Sequence, residues 1–430
     1  WDDTSAGKAT SGKNMLRINK VMALAYLGKC YLWAGSPLME HGPQLGAIQS
    51  GKTYAYNTDY MNKASEAFGE LLALVEAGQT QYSLAEYDFE NVYTHEKSKD
   101  ATTRFTDNFY TRKQNWLMPG TVEAIFRGPS SDFNGSHWNT TKVFGPKVAG
   151  LVEHDNVIHQ PTANAVNMYG MANGLPLDDP DSGFDPNFPF KDRDPRFYHD
   201  IVFDGFQYIH GAAGDREPYR FCELFTGGNM RPVANGSRTG YFIQKLVPHT
   251  CNVIDQDYAW GSAVHVYLPY MRLADVYLMY AEATAAKDTG FSRSNKANNC
   301  SLTSEAAINK VRARCGAGEV NAKFTGEKYM DEIRRERAVE LMFEGHRFND
   351  LQRWLLLTEA PYTIKTSQEF DRVLPNDWYT SGENDPRNAQ VANFREEVIL
   401  ERVFGTKHYW FPLPDSEVYL YGDFQQNPGW

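Results

Sequence analysis

The sequence predicts a mainly α-helical fold, in which stacked helical pairs form a scaffold that carries a large loop-rich insert with short strands. Apolar residues recur at helical spacing over 13–77, 269–315 and 333–354. Between the first two of these stretches, residues 80–266 are rich in Gly and Pro, and only short β-like runs such as EAIFR and GYFIQKL interrupt them.

This pattern divides the chain into two regions. Residues 1–79 and 267–360 are expected to form the helical scaffold. Residues 80–266 and 361–430 are expected to form a loop-rich region that faces ligand and partner, because loops held on a rigid frame commonly carry recognition.

The helical pairs follow the tetratricopeptide pattern, which has Leu-Gly-x-x-Tyr on one helix and Ala-x-x-x-Phe on the next. The matching residues are Leu27, Gly28 and Tyr31 on a helix predicted over 13–35, and Ala64 with Phe68 on a helix predicted over 58–77. A second, degenerate pair is predicted over 269–287 and 303–315. Such pairs cannot bury their apolar faces alone, so the two pairs are expected to stack.

One long amphipathic helix is predicted over 333–354, with acidic and basic residues three or four positions apart. Its carboxylates could be metal ligands or a general acid and base, but His346 follows Glu344 by two positions rather than three, which turns it off the shared face. We interpret the charges as a structural ion-pair lattice. Its members are Glu340, Glu344, Arg347, Asp350 and Arg337.

Composition excludes several classes of protein. The net charge is −11 and no block of Lys or Arg lies outside 333–354, which argues against a nucleic-acid partner. No apolar run is long enough for a transmembrane helix, which needs about 18 residues. The five cysteines show no zinc spacing, and their odd number leaves at least one thiol free.

Aromatic residues of the insert that stand beside polar neighbours are the candidates for ligand binding. A sugar ring offers C–H faces to an indole or phenol and hydroxyl groups to Asn, Asp and His. Trp138, next to Asn139, is the first choice and Trp260 the second; the full set is Trp116, Trp138, Asn139, Tyr208, Tyr219, Tyr258 and Trp260. The alternative is that most of these rings pack in the core or at interfaces.

Cofactor and catalytic motifs are sparse. Asp179, Asp181 and Asp185 alternate as in a calcium loop, but the twelfth position is Phe190 rather than Glu, so a turn is the alternative. No other cofactor is expected. No nucleophile elbow, Walker loop, dinucleotide fingerprint or His-Glu-x-x-His occurs. The chain is therefore expected not to be an enzyme, although a glycoside hydrolase, which needs only two carboxylates, stays open.

Five segments, in the expected order along the chain, resemble one known family. They are TANAVNMYGMANGLPL (162–177), RDPRFYHDIVFDG (193–205), YLPYMRLADVYLMYAEA (267–283), IRRERAVELMFEGHRFNDLQRW (333–354) and HYWFPLPDSEVYLYGDFQQNPGW (408–430). Together they resemble the SusD/RagB family of nutrient-binding lipoproteins, which cap TonB-dependent transporters of the outer membrane.

The resemblance implies a SusD-like α/α superhelix that binds a nutrient without chemistry and hands it to a SusC-like TonB-dependent transporter. Most similar proteins bind an oligosaccharide or polysaccharide, and some bind peptides, so both ligands stay open. It also implies a lipid anchor at the cell surface. Because residues 1–15 correspond to a point well inside the family pattern, the signal, the lipidated Cys and further helices are expected to precede them.

Overall fold

The computed structural model shows helices joined by loops and short strands. It describes residues 18–41, 56–87, 105–111, 123–127, 144–152, 159–248, 250–256, 265–266, 269–420, 425–427 and 429–430. The helices are α1 Lys20–Ala34, α2 Pro37–His41, α3 Tyr60–Glu76, α4 Ala163–Val166, α5 Pro195–Asp200, α6 Leu273–Ala286, α7 Ser304–Cys315, α8 Glu327–Glu340, α9 Arg347–Arg353, α10 Asn376–Thr380 and α11 Asp415–Val418. The strands are β1 Tyr110–Thr111, β2 Ala124–Arg127, β3 Ile201–Val202, β4 Phe242–Ile243, β5 His265–Val266, β6 Pro269–Arg272, β7 Ile364–Arg372 and β8 Val391–Glu401. Short 3-10 helices lie at Thr106–Asn108, Val148–Gly150, Gly214–Tyr219, Pro386–Asn388 and Thr406–Tyr409.

Helices α1 and α3 pack against each other and bring the two halves of the tetratricopeptide-like motif together. α1 begins after Asn19, whose side-chain oxygen accepts a hydrogen bond of 2.8 Å from the backbone N–H of Met22. The helices approach most closely at Gly28, where an added Cβ would lie 2.5 Å from Cε1 of the buried Phe68. The packing therefore requires glycine at this position.

Helix α6 is the centre of the scaffold, because it packs against α3, α7 and α8. Every residue from Leu273 to Ala285 is buried. α7 begins after Thr303, whose hydroxyl accepts a hydrogen bond of 3.1 Å from the backbone N–H of Ala306, and it ends at Gly316 with φ of +77°. The predicted stacking of the two helical pairs, and with it the mainly α-helical fold class, is confirmed.

The single long helix predicted over 333–354 is wrong, because the chain leaves the helix after Glu340 and resumes it at Arg347. In the intervening turn, Phe343 has φ of +68° and Gly345 has φ of +84°. The turn points the carboxylate of Glu344 at Arg272, with 2.7 Å between Glu344 Oε2 and Arg272 Nε. A buried ion pair between distant parts of the chain thus overrides the local helical pattern.

The strands of the described residues form four two-stranded antiparallel sheets: β1 with β5, β2 with β6, β3 with β4, and β7 with β8. The first three are short, as predicted for the insert. The ribbon of β7 and β8 was not predicted, because loops were expected in this part of the chain. Its inward positions hold hydrogen-bonded polar residues such as Thr366 and Gln368, so the apolar alternation that marks a strand is missing.

Two hydrophobic clusters support this arrangement. One lies among the scaffold helices, and the other fills the insert, where the rings of Phe190, Phe197 and Phe203 pack together. The second cluster reaches α8 through Val339. Among the described residues, no helix is long and apolar enough to cross a membrane.

Candidate functional site

A cavity of about 390 Å³ opens where α4, the turn at 341–346, α9 and the start of β7 meet. Its lining includes Asn164, Met168, Arg337, Arg347, Phe348, Asp350, Tyr362 and Lys365. Ligand pockets commonly measure about 300–1,000 Å³, so the volume suits a sugar ring or a short peptide side chain.

Two local features create this cavity. α4 is fixed to β7, because the backbone N–H of Asn164 donates to Oγ1 of Thr366 at 2.9 Å and the Asn164 amide donates to the carbonyl of Ile364 at 2.7 Å. On the opposite side, the turn after α8 sends α9 in a new direction.

Arg347 faces the cavity with its guanidinium over the Tyr362 ring, 5.4 Å from the ring centroid. Its Nη2 lies 3.7 Å from Sδ of Met168, and its Nη1 is buried and has no hydrogen-bond partner among the described residues. Burial lowers the pKa of Arg347, since a cation removed from water without a counterion is disfavoured.

The assignment of Arg347 to the ion-pair lattice is therefore wrong. In the part of the chain that the structure describes, no carboxylate lies within ion-pair distance of its guanidinium, although Glu344 and Asp350 stand three residues away on either side. The break in the helix explains this, because it directs both carboxylates to other arginines and leaves Arg347 on the cavity wall.

Lys365 is a second cation of the cavity. It is half-buried on β7, and no described residue forms an ion pair with its ammonium group. Burial, followed by the charges of Arg402 and Arg347, lowers the pKa of Lys365 to about 8.

Asp350 is the one carboxylate among the described lining residues, and it is already engaged. Its oxygens lie 3.1 Å from Nε of Arg337 and 2.9 Å from Nε of Arg353. Burial opposes ionisation of Asp350, but the charges of Arg337 and Arg353 outweigh it and lower the pKa of this carboxyl group. The cavity wall thus carries more positive than negative charge.

Behind the cavity lies a network of buried ion pairs. Glu340 accepts hydrogen bonds from Arg272 and Arg196 at 2.7 and 3.0 Å, and it also binds Arg314. Glu344 binds Arg272 and Lys245, with 2.9 Å to the lysine ammonium. Of the residues assigned to the lattice, the structure places Glu340, Glu344, Asp350 and Arg337 in buried ion pairs.

Several charged residues of this network were not in the predicted lattice. Arg196 is one of them, and its Nη1 lies 2.5 Å from Oε1 of Glu336. Burial alone would raise the pKa of Glu336, but Arg196 and Arg312 lower it to about 2. These partners come from distant segments, which local charge spacing does not reveal.

The aromatic ligand candidates divide into two groups. Trp116, Trp138, Asn139, Tyr258 and Trp260 lie outside the described residues, so their role in ligand binding stays a prediction. Tyr208 and Tyr219 are described, and the structure does not present Tyr208 as an exposed platform. Tyr208 is only 8% exposed and belongs to the apolar cluster of the insert, and Tyr219 is half-buried against the same cluster.

The carboxylates of the calcium candidate point to other partners. Lys323 Nζ lies 2.5 Å from Oδ1 of Asp179 and 2.6 Å from Oδ2 of Asp181. Asp185 accepts a hydrogen bond of 2.9 Å from the backbone N–H of Asn187, which stiffens a turn. The described residues hold no group of three or more potential metal ligands, and calcium binding stays an untested prediction.

None of the residues that line the cavity was predicted from the sequence as a ligand contact. Tyr362 and Lys365 lie in a segment that was interpreted as loop, and neither has a motif around it. Arg347 was recognised as a charged residue, but its spacing from Glu344 favoured an ion pair. Only the break between α8 and α9 brings these side chains together.

Comparison with known proteins links this fold to one family. The SusD family model matches residues 89–430. A SusD-like protein from Bacteroides fragilis is 20% identical, with a TM-score of 0.59, and the match covers 96% of this chain and 66% of that one. A SusD-like carbohydrate binding protein from Bacteroides fragilis is 19% identical, with a TM-score of 0.54 and coverage of 95% and 65%. A SusD superfamily protein from Parabacteroides distasonis is 16% identical, with a TM-score of 0.52 and coverage of 96% and 64%.

The chain spans about two thirds of the length of these solved relatives. A comparison with curated proteins finds no match. The family match nevertheless covers most of the chain, and the solved relatives share its helical scaffold. As its sequence segments predicted, the chain belongs to the SusD family.

Proposed function

We propose that this protein binds an oligosaccharide or polysaccharide at the cell surface and delivers it to a TonB-dependent transporter of the outer membrane. Membership of the SusD family supports the proposal, as does the description of one Bacteroides fragilis relative as a carbohydrate binding protein. The SusC-like transporter partner and a lipid anchor in the outer membrane belong to the same proposal and rest on the family.

The cavity beside α9 is the observation that carries the proposal at the level of residues. Tyr362 supplies an aromatic face of the kind on which sugar C–H groups pack. Arg347 Nη1 and Asn164 Oδ1 are buried polar atoms without a partner among the described residues, one a donor and the other an acceptor. Ligand hydroxyl groups would satisfy both, which fits a polyhydroxylated ring better than an apolar molecule.

We propose binding without catalysis. A glycoside hydrolase needs a carboxyl group that can donate a proton and a second one about 5–10 Å away. Asp350, the described carboxylate of the cavity wall, has a lowered pKa and is held by Arg337 and Arg353, so it is poorly suited to the role of general acid.

Tryptophan-fluorescence titration against a panel of soluble glycans and a mixed oligopeptide pool tests this function, with product analysis of every mixture after a day. We expect saturable binding of at least one glycan and no cleavage. Cleavage would make the protein a hydrolase. A response to peptides alone would favour the peptide-binding alternative within the family.

A further inference from the structure

Two cations of the cavity wall, Arg347 and Lys365, differ from the buried arginines elsewhere in the described residues. Arg196, Arg272, Arg312 and Arg353 each bind at least one carboxylate. Arg193, which has none, donates to backbone carbonyls, including that of Tyr169 at 2.7 Å. By contrast, Nη1 of Arg347 contacts neither a carboxylate nor a backbone carbonyl of the described residues. Lys365 forms no ion pair with any described residue.

The wall is therefore short of negative charge. Asp350 is shared between Arg337 and Arg353, and Arg337 is paired with Asp275 as well, at 2.7 Å. Arg347 and Lys365 also face the cavity, and no described carboxylate forms an ion pair with either of them. Arg402 lies close enough to Lys365 to lower its pKa further. Burial of a cation without a counterion is unfavourable. An anion that enters the cavity would act as this counterion, so its binding would be favoured.

We propose that the cavity binds the carboxylate of an acidic sugar unit, with Arg347 and Lys365 as the groups that hold it. This inference rests on the proposed function and names its substrate class. The guanidinium of Arg347 offers paired N–H donors that match a carboxylate, and Lys365 adds a point charge.

The remaining wall suits the rest of such a sugar. Tyr362 and Phe348 offer ring faces to the C–H groups, and Asn164 Oδ1, which no described donor reaches, can accept from one hydroxyl. The chain as a whole carries a net charge of −11, which repels anionic glycans at long range. A preference for an acidic glycan would therefore have to arise from these local cations.

Calorimetric titration with uronic acid oligosaccharides tests the inference. The affinity for each oligosaccharide is compared with the affinity for its own methyl ester. The ester keeps the shape of the sugar and removes the charge. We expect the acid to bind about tenfold or more tightly than the ester, as for hydrogen bonds to a charged group. The variant Lys365→Met should remove most of this preference, and Arg347→Lys should retain part of it.

Lys328→Met is the matched control, because Lys328 is exposed on α8 and does not line the cavity. It should bind acid and ester like the unchanged protein. Thermal melts of all variants establish that they are folded.

The outcomes separate the inference from the proposed function. Equal affinity for acid and ester, or a preference for neutral glycans, would overturn the carboxylate site and leave glycan binding intact. The same holds if Lys365→Met keeps the full preference. Absence of binding to every acidic and neutral glycan would overturn the proposed function, and the inference with it.

Discussion

Replacing Arg272 by methionine should destabilise the protein strongly, whereas the same replacement at Arg347 should have little effect. Arg272 is fully buried, and its guanidinium lies 2.7 Å from carboxylate oxygens of Glu123, Glu340 and Glu344. Its loss would remove a counterion that three buried carboxylates share, and removal of one partner from a buried ion pair costs about 3–5 kcal/mol.

Arg347 is also largely buried, but its removal leaves no carboxylate unpaired among the described residues. Methionine preserves much of the stem that packs near Tyr362 and Met168, so we expect a change of about 1 kcal/mol or less. Urea denaturation at pH 7 measures the free energy of unfolding of both variants. Equal destabilisation by the two would refute the view that Arg347 stands outside the ion-pair network.

Three further predictions follow from the fold. Gly345→Ala should lower the free energy of unfolding by about 1–2 kcal/mol, because Gly345 has φ of +84° in the turn. In a continuous helix the same change would raise the free energy of unfolding by about 1 kcal/mol, so urea denaturation distinguishes the two by the sign of the change. Gly28→Ala should destabilise by about 1–3 kcal/mol, because its Cβ would meet the Phe68 ring at 2.5 Å, and a melting temperature equal to that of the unchanged protein would contradict the close α1–α3 contact. The free energy of unfolding should fall as the pH drops from about 4.5 to about 2. The pKa of Glu336 is about 4.5 in the unfolded chain and is lowered to about 2 in the folded state. Its stabilising contribution is therefore complete above about pH 4.5 and is lost as the pH falls through the pKa of the folded state. Unfolding curves between pH 7 and pH 2 test this, and a pH-independent stability across that window would contradict the buried network.

The helical scaffold was predictable because its signals are local. The tetratricopeptide-like pattern predicts a close helical pair from Leu27, Gly28 and Tyr31 on one helix and Ala64 and Phe68 on the next. The structure places Gly28 directly against Phe68. The spacing of apolar residues along a helix depends only on neighbours in sequence.

The break after Glu340 was not predictable in the same way. The residues 333–354 have a good helical pattern, and the turn becomes favourable only because Glu344 reaches Arg272, which is 72 residues earlier in the chain. The ribbon of β7 and β8 was missed for a related reason. Thr366 and Gln368 are buried through hydrogen bonds rather than through apolar contacts, so their burial leaves no hydrophobic alternation.

The cavity depends on both of these features, since α9 and β7 supply its walls. The aromatic candidates were chosen by their polar neighbours, a rule that does not separate a buried ring such as Tyr208 from an exposed one. Charge spacing likewise does not separate a paired arginine such as Arg337 from an unpaired one such as Arg347.

The most direct test of the binding account is the affinity of Tyr362→Ala for whichever glycan binds the unchanged protein, measured by calorimetric titration. Tyr419→Ala is the control, because Tyr419 is a tyrosine that is 85% exposed and does not line the cavity. We predict that Tyr362→Ala weakens binding about tenfold, through the loss of ring stacking, and that Tyr419→Ala does not change it. Unchanged affinity of folded Tyr362→Ala would contradict the account, because the glycan would then bind outside the cavity beside α9.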